Sequence, residues 1–176
     1  FKFFAIYISL IISNSEGSRF SSFCNLVLIS LISLGFKLSV VDFSIPVNSD
    51  NLDYTLYAIA HTNGDFSQSS HRGMGWSLFT SIFFGFIDSE NFLDYSNTIR
   101  TLSMVVGISS IPMMYLIGRK FFDQRYSLVV ASLFAFEPHL NYNSGGAMSE
   151  PLLILVLISS MIFILHDKTK YHYLAF

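Results

Sequence analysis

Charge is scarce in this sequence. Only 12% of its 176 residues are Asp, Glu, Lys or Arg, where a soluble domain carries about a quarter. Hydrophobic residues make up 52% of the chain and the mean hydropathy is +0.52, so the composition belongs to the membrane class. Positive charge is not in excess either. The net charge is −2, which removes the basic footprint a nucleic-acid partner would need. Cysteine is represented by Cys24 alone. A single thiol makes no internal disulfide and no thiolate metal cluster, and inside an apolar run it reads as a small buried hydrophobe. Repeats and low-complexity tracts are missing as well, and no His/Cys spacing matches a zinc signature.

What the chain has is apolar length. The run Phe20–Val41 is long enough to cross a bilayer, with Lys37 near its end and placed to snorkel. Further spans are expected at Thr101–Gly118, with Pro112 tolerated inside it, at Tyr126–Phe136, and at Pro151–Leu165. The run Trp76–Ile87 is short and reads as a helix in the interface. "FKFFAIYISLIIS" at the start is too short for a full span of about 20 residues. It is a trimmed span, an interfacial segment or a signal core. The expectation is an all-α, polytopic membrane protein with four transmembrane helices. Residues 1–19 form an N-terminal segment, 20–165 the transmembrane part, and 166–176 a cytoplasmic segment. The ends suggest a piece of a longer protein.

Charge placement orients the spans. Arg119, Lys120 and Arg125 cluster after the second span, and Lys168 and Lys170 follow the fourth. The positive-inside rule puts both clusters in the cytoplasm. The loop 42–99 then lies outside. It carries Asp42, Asp50, Asp53, Asp65, Asp88, Glu90 and Asp94, against Arg72 as its one Lys or Arg.

That loop gathers acid, histidine and tyrosine. At about 100° per residue, a helix over 51–62 puts Asp50, Asp53, Tyr54, Tyr57 and His61 on one face. Leu52, Leu56 and Ile59 fall opposite, ready to rest on the membrane boundary. Each acid also has an ordinary reading. Asp50 suits an N-cap, and Asp53 complements the helix dipole. Glu150, ahead of Pro151, suits the start of the last span in the same way. Arg100 fits a snorkelling residue at a helix end as well as a ligand for an anion.

The order of elements resembles the N-terminal part of the GT-C fold membrane glycosyltransferases, the protein mannosyltransferases that use dolichyl-phosphate mannose and the lipid A aminoarabinose transferases. The matching residues are Asp50 with Tyr54 and Ala58, Gly64-Asp65, His71, "FFGF" at 83–86, Arg100, "LIGRKFF" at 116–122, Pro138 and Glu150. The family's His/Lys-Pro-Pro-Leu element reads "HRGMG" here, without its prolines.

The resemblance implies an enzyme that moves a sugar from a polyprenyl-phosphate carrier to an acceptor on the outer membrane face. It implies Asp50 as the base, with Asp53 one turn along as competitor and Glu150 facing the same outer cavity. His71, Arg72 and Arg100 are the groups for the donor phosphate, with Tyr54 beside them. No cofactor is firmly implied. A divalent ion has room near Asp50, Asp53, His61, Asp65 and His71, and the expectation leans to no metal. The expected partners are the lipid-linked sugar, the membrane, and a protein, lipid or glycan acceptor. Two other classes compete: a transporter piece, which would place polar groups in mid-span, and an oligosaccharyltransferase-like enzyme moving a whole glycan.

Overall fold

The computed structural model of the chain describes residues 19–47, 50–67 and 73–166. Apart from residues 19 and 166, the expected N-terminal segment and cytoplasmic tail lie outside them. The described residues form helices joined by short connections, without strands. The helices are α1 (Arg19–Val40), α2 (Asp50–Thr62), α3 (Met74–Phe84), α4 (Phe92–Phe121), α5 (Gln124–Ala135), α6 (Pro138–Gly145) and α7 (Glu150–Ile164).

Two helices are long and apolar enough to cross a membrane, Ser21–Val40 within α1 and Phe92–Phe121, which is α4. α1 leaves Phe23, Val27, Leu31 and Phe36 exposed, round much of its circumference. Apolar side chains exposed in that number fit a hydrocarbon solvent. Cys24 lies on that exposed surface rather than buried as expected, because the low-dielectric medium here surrounds the helix.

α4 starts nine residues earlier than the apolar run indicated. Asn91 caps it, its side chain accepting from the Leu93 amide at 3.0 Å, and Asp94 sits in the first turn. Polar capping thus extends an apolar helix into what reads as loop. The helix continues through Pro112. Its 30 residues span about 45 Å, more than the hydrocarbon core of about 30 Å. The other two expected spans are helices of 12 and 15 residues, α5 and α7. At 1.5 Å per residue they reach about 18 and 22 Å, short of a crossing by themselves.

α4 is the hub and touches every other described helix. It packs closely because small residues line its contacts. A Cβ on Gly118 would stand 3.3 Å from the Cα of Ser127 on α5. Buried serines consume their own hydroxyls: Ser110, Ser127 and Ser132 donate to the carbonyl four residues back. This is the packing of membrane helices, where small and hydroxyl residues replace a hydrophobic drive. Gly145, at the end of α6, is the tightest point. A Cβ there would lie 2.7 Å from Cγ2 of Val41. Gly145→Ala should therefore destabilise the protein by about 1–3 kcal/mol through overpacking. An unchanged thermal midpoint would show that Val41 simply turns aside.

The candidate active-site region

The segment that leads from α1 into α2 is held by the first turns of α4. Asp42 folds onto its own turn, its Oδ1 accepting from the Ser44 amide at 2.9 Å and hydroxyl at 2.6 Å. The Ser44 hydroxyl, then its amide, hold the Asp42 carboxyl below its usual value, with Arg100 adding attraction. Arg100 Nη1 donates to the carbonyls of Ile45 at 2.6 Å and Asp42 at 3.1 Å. Asn97 donates to the Phe43 carbonyl at 3.1 Å. The expectation of a snorkelling or ligand-facing Arg100 thus meets a residue only 9% exposed whose Nη1 is spent on backbone. Arg100 also lines an open cavity of about 460 Å³, together with Asn51, Asn141, Tyr142 and Met148.

Asp50 opens α2, half-buried, and Asp53 follows in the first turn, exposed. The helix exists as expected, but its faces divide differently. The inward stripe is Asn51, Tyr54, Thr55, Ala58 and His61. Leu56 points outward at 48% exposure, beside Asp53. Tyr54 and His61 are therefore not on a water-facing surface with the acids. The reason is steric and polar: the stripe of small or hydrogen-bonding groups seats against α3 and α4, so hydrophobicity does not mark it.

Tyr54 makes the long-range link. Its hydroxyl lies 3.2 Å from Oγ of Ser149, the residue before Glu150. The acid-bearing start of α2 is thereby tied to the acid-bearing start of α7. Trp76 of α3 completes this corner, donating from Nε1 to the Ala147 carbonyl at 3.1 Å. Ala147 adopts φ 68°, a left-handed backbone unusual for a residue with a Cβ.

His61 is turned away from the acids. Its ring stacks on Phe66 at 5.1 Å, and both ring nitrogens are buried without a hydrogen-bond partner among the described residues. Asp65 closes its own turn on Ser67, through the hydroxyl at 2.6 Å and the amide at 2.9 Å. Those two bonds, hydroxyl first, lower its carboxyl pKa. Among the described residues no three His, Cys, Asp or Glu side chains converge on a metal position. His71 and Arg72 lie outside the described residues. Glu137 serves as the cap of α6, accepting from the Leu140 amide at 2.6 Å.

Glu150 lies elsewhere than in the open cavity. It lines a smaller one together with Lys37, which borders both cavities and donates to the Ser144 hydroxyl. Lys37 does not snorkel: it is 4% exposed and donates to Ser144 Oγ at 2.6 Å. Sequence reasoning missed Lys37 and Ser144 as partners. The one available signal was the amide- and hydroxyl-rich run Asn141–Gly146 in an otherwise apolar chain.

Apolar helices with outward hydrophobic faces define a helical membrane protein, and acids stand at the starts of two of its helices, which meet at one end. Residues 63–172 match the family model described as dolichyl-phosphate-mannose-protein mannosyltransferase. The chain belongs to this family, and so is a membrane glycosyltransferase of the mannosyltransferase type that uses a lipid-linked sugar. Arg100 and Glu150 fall within the matched stretch, while Asp50, Asp53 and Tyr54 precede it. Neither the curated proteins nor the solved structures gave a match.

Proposed function

We propose that this chain carries the acid-bearing part of an active site that transfers a hexose from a polyprenyl phosphate to a hydroxyl of a protein acceptor. The observation that carries this is the Tyr54–Ser149 contact, which brings the starts of α2 and α7 together in a chain of this family. Asp50 is the base. It takes the proton from the acceptor hydroxyl as that oxygen attacks the anomeric carbon. The bond from that carbon to the phosphate oxygen breaks on the opposite face, so configuration inverts, as in single-displacement glycoside chemistry. The leaving group is the lipid phosphate, whose charge calls for cationic donors. His71 and Arg72 supply them by their chemistry, and Arg100 braces the turn that leads to Asp50.

The site faces the extracytoplasmic side in this reading. Arg119 and Lys120 end α4 and Arg125 begins α5, a basic cluster at the end opposite the acids. α5 and α7, shorter than the hydrocarbon core, complete the multi-pass arrangement where the bilayer thins around them. No resident metal is assigned, since basic side chains suffice for the phosphate.

The test is transfer from a radiolabelled polyprenyl-phosphate hexose to protein in membranes containing the full-length protein. Label in protein, sensitive to the Asp50 substitution and indifferent to a chelator, is the expected result. Loss on chelation with recovery on adding Mg²⁺ or Mn²⁺ would bring a metal into the site. Label in a lipid or glycan would replace the acceptor. Transfer of a preassembled oligosaccharide, and not of a single hexose, would favour the oligosaccharyltransferase-like alternative.

A further inference from the structure

Lys37 is an ammonium at membrane depth on α1, 4% exposed, with a neutral hydroxyl as its hydrogen-bond acceptor. An isolated buried cation is expensive and calls for an opposite charge nearby. Glu150 shows the converse need. Its Oε2 is buried and has no hydrogen-bond partner among the described residues. Both side chains line one cavity of about 20 Å³, and among the described residues they are the charged ones that do. That volume suits a single water, which needs about 10–15 Å³ and two to four polar partners. Ser33, Ser110 and Asn143 add polar groups to the wall. Gly107 on α4 lets Ser144 approach, since a Cβ there would lie 3.3 Å from the Ser144 Cβ, a tight contact, and 3.8 Å from Nζ, an ordinary one.

We propose that Lys37 and Glu150 form an ion pair closed by one water in this cavity, and that Lys37 is the positioning residue for Glu150. The pair joins the first membrane helix to the start of α7, with Ser144 of α6 holding the ammonium and Gly107 of α4 letting Ser144 come close. It aims the Glu150 carboxylate in one direction at the end of the molecule where Tyr54 meets Ser149. The pair itself stands on geometry. Only the kinetic part of its test rests on the transferase reading.

The experiment is a double-mutant cycle in the full-length protein, K37M, E150Q and K37M/E150Q, with K37R as the conservative variant. Two readouts are taken: the thermal midpoint in detergent and the kcat and KM of sugar transfer. Each single neutralisation leaves one buried charge unpaired, so each should lower the midpoint by roughly 5–10 °C. The double variant should sit no lower than either single variant. K37M should lower kcat about tenfold or more, as loss of a positioning partner does, with the donor KM nearly unchanged, and K37R should recover most of that rate. The double variant should transfer at the rate of E150Q alone.

Midpoint shifts that add in the double variant would overturn the pair, as would a K37M protein indistinguishable from wild type. If K37M fails to accumulate, accumulation of K37M/E150Q supports the pair, and its equal loss overturns it. Should the wild-type protein transfer no sugar, the transferase reading fails while the thermal cycle still decides the pair.

Discussion

Asp50→Asn should lower sugar transfer by the full-length protein about a hundredfold to ten-thousandfold, the contribution of a positioned base. The substitution is chosen because it isolates proton transfer. Asp50 opens α2, and asparagine serves a helix start as well as aspartate does. The helix should therefore form, expression should be normal and the thermal midpoint should stay within a few degrees. Asp53 is exposed on the same first turn, and Asp53→Asn should cost little. If the large loss falls on Asp53→Asn instead, the base moves one turn along and the reaction class stands. Undiminished transfer by both variants would sink a carboxylate base on this helix. A loss of folded protein in Asp50→Asn would make its role structural.

Arg100→Met should be the most damaging single change to the α1–α2 connection. Arg100 Nη1 is shared by the carbonyls of Asp42 and Ile45, at 3.1 and 2.6 Å. Bonds from a charged donor are the stronger kind, while the two carbonyls belong to exposed residues, so water takes over part of what is lost. The expected loss is about 1.5–3 kcal/mol, read as a lowered midpoint. Transfer should fall with it through kcat, because the turn that leads to Asp50 is no longer fixed. Arg100→Lys should sit between, since a shorter side chain with a more strongly hydrated ammonium must replace the Nη1 that serves both carbonyls. A normal midpoint with a donor KM raised about tenfold would place the guanidinium on the donor phosphate instead.

Much of the architecture was legible because lipid imposes a simple rule. Backbone groups must be satisfied within a helix, so apolar length alone announces α1 and α4. Trp76–Ile87 was legible for the same reason, and emerged as α3 with Trp76 and Phe84 inward and Ile82 outward. What length could not announce was the two extra turns of α4, written in polar capping rather than in grease. The short α5 and α7 were visible as apolar runs, but not their shortness. The turn at Phe136 and the Glu137 cap end one and start the next.

The candidate site was legible as a set of residue types and not as a geometry. The acids, Tyr54, Arg100 and Glu150 were legible as candidates from their order along the chain. Their partners were not, because helix periodicity sorts residues by hydrophobicity alone. On α2 the inward stripe is Asn51, Tyr54, Thr55, Ala58 and His61, a mostly polar set buried by the close packing of α3 and α4 against it. On α1 Lys37 is buried against the hydroxyl of Ser144, more than a hundred positions along the chain.

The sequence by itself determined the membrane class, the helical fold and the family. These follow from composition, from local hydrogen bonding and from the order of motifs, none of which needs a distant contact. Tertiary structure decided which polar groups meet: Tyr54 with Ser149, Arg100 with the 42–45 backbone, Lys37 with Ser144 beside Glu150. In a low-dielectric interior a polar group must find its match. Which match it finds is set by the close approach of helices far apart in the chain.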